Sequence, residues 1–181
     1  LILHIPCVFG GAERSTANLL SNFDRSRIKH ITLVAPAILR SLLPETYDCF
    51  IDTTPYRLEA RFANLNALHR DARVIGELLR ELKPDVAFGM MQYSSALVVL
   101  GGRLAGVSTR TVAGYQGPFY DHIRRYEPDL QRRDLLQAIM TETALQADRV
   151  IVPTRDISEE LKQRFRIPVE RIVVIPNGID L

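Results

Sequence analysis

The chain has little of what would point away from an ordinary buried core. There are two cysteines and no tryptophan in 181 residues. Two thiols, Cys7 and Cys49, allow no disulfide framework, and no metal-ligand spacing surrounds them. Each sits beside an apolar run, so a buried, reduced thiol of a cytoplasmic protein is expected. No apolar stretch approaches the ~20 residues needed to cross a bilayer, and none resembles a signal peptide. Internal repeats and low-complexity linkers are missing too. Lysine is scarce: Lys29, Lys83 and Lys162 are the only ones, so arginine carries the positive charge. The formal net charge of +2 demands no nucleic-acid partner. Arginine's planar fork suits phosphate and carboxylate ligands, although a bias in the coding sequence explains the preference equally well. No Ser/His/Asp order, carboxylate dyad or metal cluster stands out.

What is present fits one sizeable domain. The apolar set makes up 46% and charged residues 24%, an ordinary globular balance. Apolar runs rich in Val and Ile recur at Leu1–Pro6, Ile28–Ala35, Tyr47–Ile51, Asp85–Gly89, Thr109–Ala113, Arg149–Pro153 and Arg171–Ile175. Most are apolar throughout, as strands covered on both faces are. Segments with helical spacing lie between them. Ala12, Thr16, Leu19, Leu20 and Phe23 share a face. Leu58, Phe62, Leu65, Ala72, Ile75, Leu79 and Leu82 form a long stripe that Pro84 ends. Leu97–Ala105 is capped by Gly106. Leu136, Ile139, Met140, Thr143 and Ala147 follow, then Ile157, Leu161 and Phe165 with Thr154 as N-cap. The spacing predicts an α/β fold: a doubly wound, mainly parallel seven-stranded sheet with helices on both faces. Periodicity fades over Pro36–Pro55 and Gly114–Asp129, which read as long loops.

Ligands of open parallel sheets bind beyond the C-terminal strand ends. The segments there are Phe9-Gly10-Gly11, Met90-Met91-Gln92-Tyr93, Gly114 to Phe119, Thr154, and Asn177-Gly178. "CVFGGAERSTANLL", from Cys7 to Leu20, is no dinucleotide fingerprint: its glycines are adjacent, no third follows, and the second strand ends "LVAPA" without a ribose-binding acid. No Gly-Lys-Ser/Thr marks a phosphate loop. Gly10 and Gly11 instead expose backbone N–H groups at a helix start, which favours an anion or hydroxyls; a tight turn without a ligand fits as well. The rings of Tyr115, Phe119 and Tyr120 suit stacking on a sugar face, and Gln116 between them suits hydrogen bonds to its hydroxyls; packing of the loop explains Phe119 and Tyr120 as well, and Phe119 reads as packing. Arg124, Arg125, Arg132 and Arg133 suit either an anionic acceptor or lipid surface, or a solvated helix face. Glu13 serves the helix dipole. His4, inside a strand, reads as a core histidine.

The last third, "ALQADRVIVPTRDISEELKQRFRIPVERIVVIPNGIDL", resembles the end of the N-terminal domain of a family 4 glycosyltransferase with the GT-B fold. "ADRVIVPT" resembles its sixth strand and next helix, "IPVERIVVIPNGID" its crossover to a second domain, and "GGAER" its first turn. The resemblance implies a two-domain enzyme that transfers a sugar from a nucleotide donor with retention at the anomeric carbon, without a metal or other cofactor. Residues 1–175 would form the acceptor-side domain and 176–181 the start of the linker, with the donor-binding domain absent from this chain and the chain alone inactive. The chain's start at Leu1 without methionine and its stop after "IPNGID" agree with a fragment. Gly10 and Gly11 take the donor diphosphate and sugar; Gln92, Tyr93, Tyr115, Gln116 and Gly117 the sugar or acceptor; and Thr154, Asn177, Gly178 and Asp180 the hinge and cleft. The partners implied are a nucleotide-sugar and a glycan, lipid-linked or small-molecule acceptor, in the cytoplasm or at the inner face of an anionic membrane, as in cell-envelope or polysaccharide synthesis. Family members often carry histidine where this chain has Gln116, and again near Gln92 and Tyr93. Glutamine cannot act as a base near neutral pH. Two other readings therefore stand: an inactive binding or regulatory domain of the same fold, and a standalone flavodoxin-like nucleotide-binding domain.

Overall fold

A computed structural model describes residues 1–5, 10–58, 62 and 64–178. The sheet has seven strands: β1 (Ile2–His4), β2 (Thr32–Ala35), β3 (Cys49–Asp52), β4 (Val86–Met90), β5 (Arg110–Gly114), β6 (Arg149–Val152) and β7 (Ile172–Val174). All pairings are parallel, in the order β3-β2-β1-β4-β5-β6-β7. The helices are α1 (Gly11–Ser21), α2 (Leu65–Leu82), α3 (Met91–Ala105), α4 (Phe119–Tyr126), α5 (Leu130–Gln146) and α6 (Arg155–Phe165). Each expected strand forms where its Val- and Ile-rich run predicts it. Side chains of successive strand residues point to opposite faces. Ile2 and Leu33 pack with Leu20 of α1 on one face, whereas Leu3 and Val34 pack with α2 and α3 on the other. A third cluster joins Ala113, Val150 and Val152 to α5 and α6. Each fully buried Val, Leu or Ile side chain among these contributes roughly 1.5–3 kcal/mol to folding.

Three expectations need correction. Helix α2 begins at Leu65 and not at Leu58, because the Asn64 side chain accepts a hydrogen bond from the Ala67 N–H at 2.8 Å and so caps the first turn. Leu58 and Phe62 pack against the core from the segment before it. The stretch 114–129 is not all loop: Phe119–Tyr126 is helical, its first N–H groups held by the Glu160 carboxylate of α6, 3.1 Å from Phe119 N and 2.5 Å from Tyr120 N. Coverage of the sheet is also unequal. Ala87, Ala113, Val150 and Val152 are fully buried, but their neighbours Phe88, Val112 and Ile151 are only half-buried. Cys49 is a half-buried free thiol; Cys7 lies outside the described residues. No described helix is long and apolar enough to cross a membrane.

Candidate functional site

Parallel strands place all C-terminal ends on one rim. The register aligns His4 with Met90, Met90 with Gly114, and Gly114 with Ile151. The segments leaving β1, β4, β5 and β6 therefore start from one row. Strand order reverses beside β1: the chain steps outward to β2 and β3, then returns to β4 on the other side of β1. A crevice opens at such a reversal, and it is where ligands of open sheets bind. Gly10 and Gly11 stand on one side of it, and the start of α3 on the other.

Packing among the described residues does not call for the glycine corner. Gly10 is extended, with φ −161°, and among the described glycines only Gly106 has a positive φ. Among the described residues, a β-carbon on Gly11 would meet nothing within 4 Å, and one on Gly10 only Glu13 Oε2 at 3.7 Å. Glycine is about 0.5–1 kcal/mol poorer than alanine within a helix, so opening α1 with glycine brings no internal gain. It leaves clear space above backbone N–H groups at a helix N-terminus, where the helix dipole favours negative charge.

Beneath this corner lies a buried polar network. His4 is 0% and Glu13 2% exposed. His4 Nδ1 is 2.7 Å from Thr16 Oγ1, and Nε2 is 3.1 Å from Glu13 Oε1. The other carboxyl oxygen of Glu13 accepts the Gly10 N–H at 2.6 Å. Burial lowers the pKa of His4, and its hydrogen bond and charge interaction with Glu13 oppose the shift. His4 is the core histidine that its strand position suggests. Glu13 does more than serve the dipole. The pattern of an acid three residues after the N-cap is the signal that marks its reach back to Gly10.

Across the crevice β4 turns into α3 without a loop. Met91 takes φ 68° there, a strained value for a side-chain-bearing residue, and strain of this kind gathers at functional sites. Ser95 braces the turn: its hydroxyl oxygen lies 2.8 Å from Gly89 O and 2.6 Å from Met91 O and accepts the Gly114 N–H at 3.0 Å. Sequence periodicity gave no hint of Met91. Gln92 sits half-buried in the first turn of α3.

Two aromatic candidates belong to the interior. Tyr93 is 5% exposed, donates its hydroxyl to Asp71 Oδ2 at 2.6 Å and meets the Phe62 ring edge-on at 4.9 Å. Tyr115 is 1% exposed and donates to Met140 O at 2.8 Å; burial raises its pKa far above the ordinary phenol value. Neither ring has a face left for a sugar, so the assignment of both to the sugar or acceptor is corrected.

Gln116 behaves differently. Its Nε2 donates only to the Met90 sulfur, at 3.3 Å, a weak acceptor. Its buried Oε1 has no partner among the described residues, and an unmatched buried carbonyl costs about 1–3 kcal/mol. Gln116 lines a groove of ≈ 740 Å³ together with Gly117, Thr154, Arg164 and Asn177. Thr154 also caps α6, accepting the Ile157 N–H at 3.3 Å. Gly178 is tied to α1 by a 2.9 Å hydrogen bond from Asn18 Nδ2 to its carbonyl, so the tail runs from the groove to the glycine helix. Asp180 lies outside the described residues. Among the arginines of the α4–α5 region, Arg132 pairs with Glu127 at 2.7 Å and donates to Phe62 O at 2.7 Å. Arg133 donates to Glu127 O. Arg124 and Arg164 stack on Tyr120 at 5.5 and 5.1 Å. A second groove, of ≈ 550 Å³ beside Arg80, Asp85 and Arg110, opens at the opposite rim, off the N-terminal strand ends.

A parallel sheet with an open glycine corner at its strand-order reversal, and a polar groove over the ends of β5 to β7, is the Rossmann-like half of a GT-B fold. The chain belongs to glycosyltransferase family 4: the sequence profile of Glycosyltransferase Family 4 matches residues 9–181. No curated protein matches it. Among solved structures it is similar to HepE of Anabaena in complex with UDP-glucose, with TM-score 0.69 and 15% identity over 99% of this chain and 43% of that one. The apo lipopolysaccharide outer core galactosyltransferase WaaB gives TM-score 0.66 and 14% identity over 98% and 45%. A glycosyltransferase from Rickettsia africae gives 0.62 and 16% over 99% and 42%. The chain thus spans less than half the length of each of these proteins.

Proposed function

We propose that this chain is the acceptor-side half of a retaining glycosyltransferase that moves a sugar from a nucleotide-sugar to a glycan, lipid-linked or small-molecule acceptor, and that a donor-binding domain completes the enzyme. The observation that carries the reading is a pair of rim features with no use among the described residues: the clear space over Gly10 and Gly11, and the Gln116 Oε1 beside the groove, which has no partner there. The first suits a diphosphate, which takes hydrogen bonds from backbone N–H groups. The second suits a sugar hydroxyl, which donates to the glutamine carbonyl. That UDP-glucose is bound in the Anabaena neighbour supports a nucleotide-sugar donor, and the outer core galactosyltransferase supports work on the cell envelope.

In the proposed mechanism Gln116 orients a hydroxyl and takes no proton. The leaving diphosphate accepts the acceptor's proton, and the N–H groups of the glycine corner stabilise the negative charge that grows there. Thr154 and Asn177 border the acceptor, and Gly178 opens the link to the second domain. No metal or organic cofactor enters the proposal.

Calorimetry with UDP-glucose tests the reading. In the enzyme completed by its donor-binding domain, wild type binds, whereas Gly11→Val, whose β-carbon meets nothing among the described residues, melts normally and binds about tenfold or more weakly, a loss of roughly 1.4 kcal/mol. Equal affinity for the two proteins contradicts the proposed use of the corner.

A further inference from the structure

We propose that Glu13 and His4 are positioning residues for the Gly10–Gly11 corner, a role that rests on the donor reading above. The hydrogen-bond geometry carries it. Neutral His4 accepts the Thr16 hydroxyl on Nδ1 at 2.7 Å and donates its Nε2 proton to Glu13 Oε1 at 3.1 Å. Oε2 is left as the acceptor for the Gly10 N–H, 2.6 Å away.

An N3 acid that reaches back to the N-cap N–H is an ordinary helix start, but such a start does not call for burying that acid against a histidine of the neighbouring strand. An exposed acid in the first turn serves the dipole, and Ser, Thr, Asp or Asn caps from the preceding position with its own side chain. Here a carboxyl is taken fully out of water, which is costly unless it is hydrogen-bonded. Both its oxygens are matched, one to the last residue of β1 and one to the corner. The result ties the corner's backbone to the sheet. The Gly10 N–H is taken up by Glu13; a ligand at the corner meets instead the Gly11 N–H that follows it, whose direction is already set, and such preorganisation raises affinity by cutting the ordering cost of binding.

The experiment is an NMR titration of the isotope-labelled chain with inorganic pyrophosphate, following the Gly10 and Gly11 amides. Wild type shifts at both. Glu13→Gln keeps wild-type affinity, because its carbonyl accepts the Gly10 N–H while its NH2 donates to His4 Nε2, the imidazole proton moving to Nδ1 and facing Thr16. Glu13→Ala binds about tenfold more weakly, measured well below its melting temperature. Leu79→Ala, a core truncation in the α2–α3 packing, lowers melting without changing affinity. Equal affinity of Glu13→Ala and wild type, or an equal loss in Leu79→Ala, overturns the positioning role and leaves the donor reading intact. A wild-type chain whose Gly10 and Gly11 amides ignore pyrophosphate overturns both.

Discussion

At the scale of single residues, the useful distinction on this rim is between polar groups whose partners lie inside the chain and those whose partners do not. Tyr115 and Gln116 are neighbours in sequence and opposite in kind. The phenol is matched to Met140 O, while the amide faces a sulfur and leaves its carbonyl open. Composition alone reads both as sugar-binding groups, because a strand end does not reveal which of two consecutive side chains turns inward. Glu13 shows the converse. An exposed role near the helix dipole is a complete explanation from sequence, and only the placement of β1 beside α1 reveals its burial. His4 has a measurable consequence. Burial holds its pKa below the ordinary 6.5, so the unfolded chain takes up a proton on this residue at pH values where the folded chain does not. Its contribution to stability is complete above the unfolded value and erodes as pH falls below it, until the lowered folded value is reached. Urea midpoints measured between about pH 7 and pH 5 should fall for wild type and fall less for His4→Asn. Parallel slopes would remove His4 from the linkage.

At the scale of elements, strands were the most legible part and helix starts the least. Val- and Ile-rich runs between breakers need only local chemistry to be recognised. The start of α2 depends on the Asn64 cap, which the apolar stripe running back to Leu58 conceals. Helix α4 is eight residues long, too short for periodicity to mark, and it borrows its N-terminal acceptor from Glu160 of α6, which is distant in sequence. The packing of α2 on α3 was not visible from either stripe. A β-carbon on Gly101 would lie 2.7 Å from Ala72 O and 2.9 Å from Gly76 N, and one on Gly76 2.7 Å from Gly101 O. The two backbones meet there without intervening side chains. Gly101→Ala must push the helices apart, and overpacking of this kind costs about 1–3 kcal/mol, although alanine is the better helix former. Denaturant unfolding checks the sign: stability equal to or above wild type would mean that the crossing is looser than described.

At the scale of the whole molecule, one rim collects what the fold leaves unused. The strand-order reversal puts the glycine corner and the strained turn at Met91 on either side of β1 and β4. The aligned strand ends carry that edge on to Gln116 and Thr154, and the tail returns from Asn177 toward α1 through Gly178. The rim was legible because its punctuation is glycine, proline and asparagine at strand ends; the buried wiring below it was not, because it joins residues on different elements. The account's central claim is that corner and groove form one continuous ligand face. The most direct test is a chemical-shift map of the chain titrated with UDP-glucose. The account predicts that Gly10, Gly11, Gln116 and Gly117, which it places against the diphosphate and the transferred sugar, respond together, with a single affinity. Shifts gathered instead at the opposite rim around Arg80, Asp85 and Arg110, or none at the glycine corner, would contradict it.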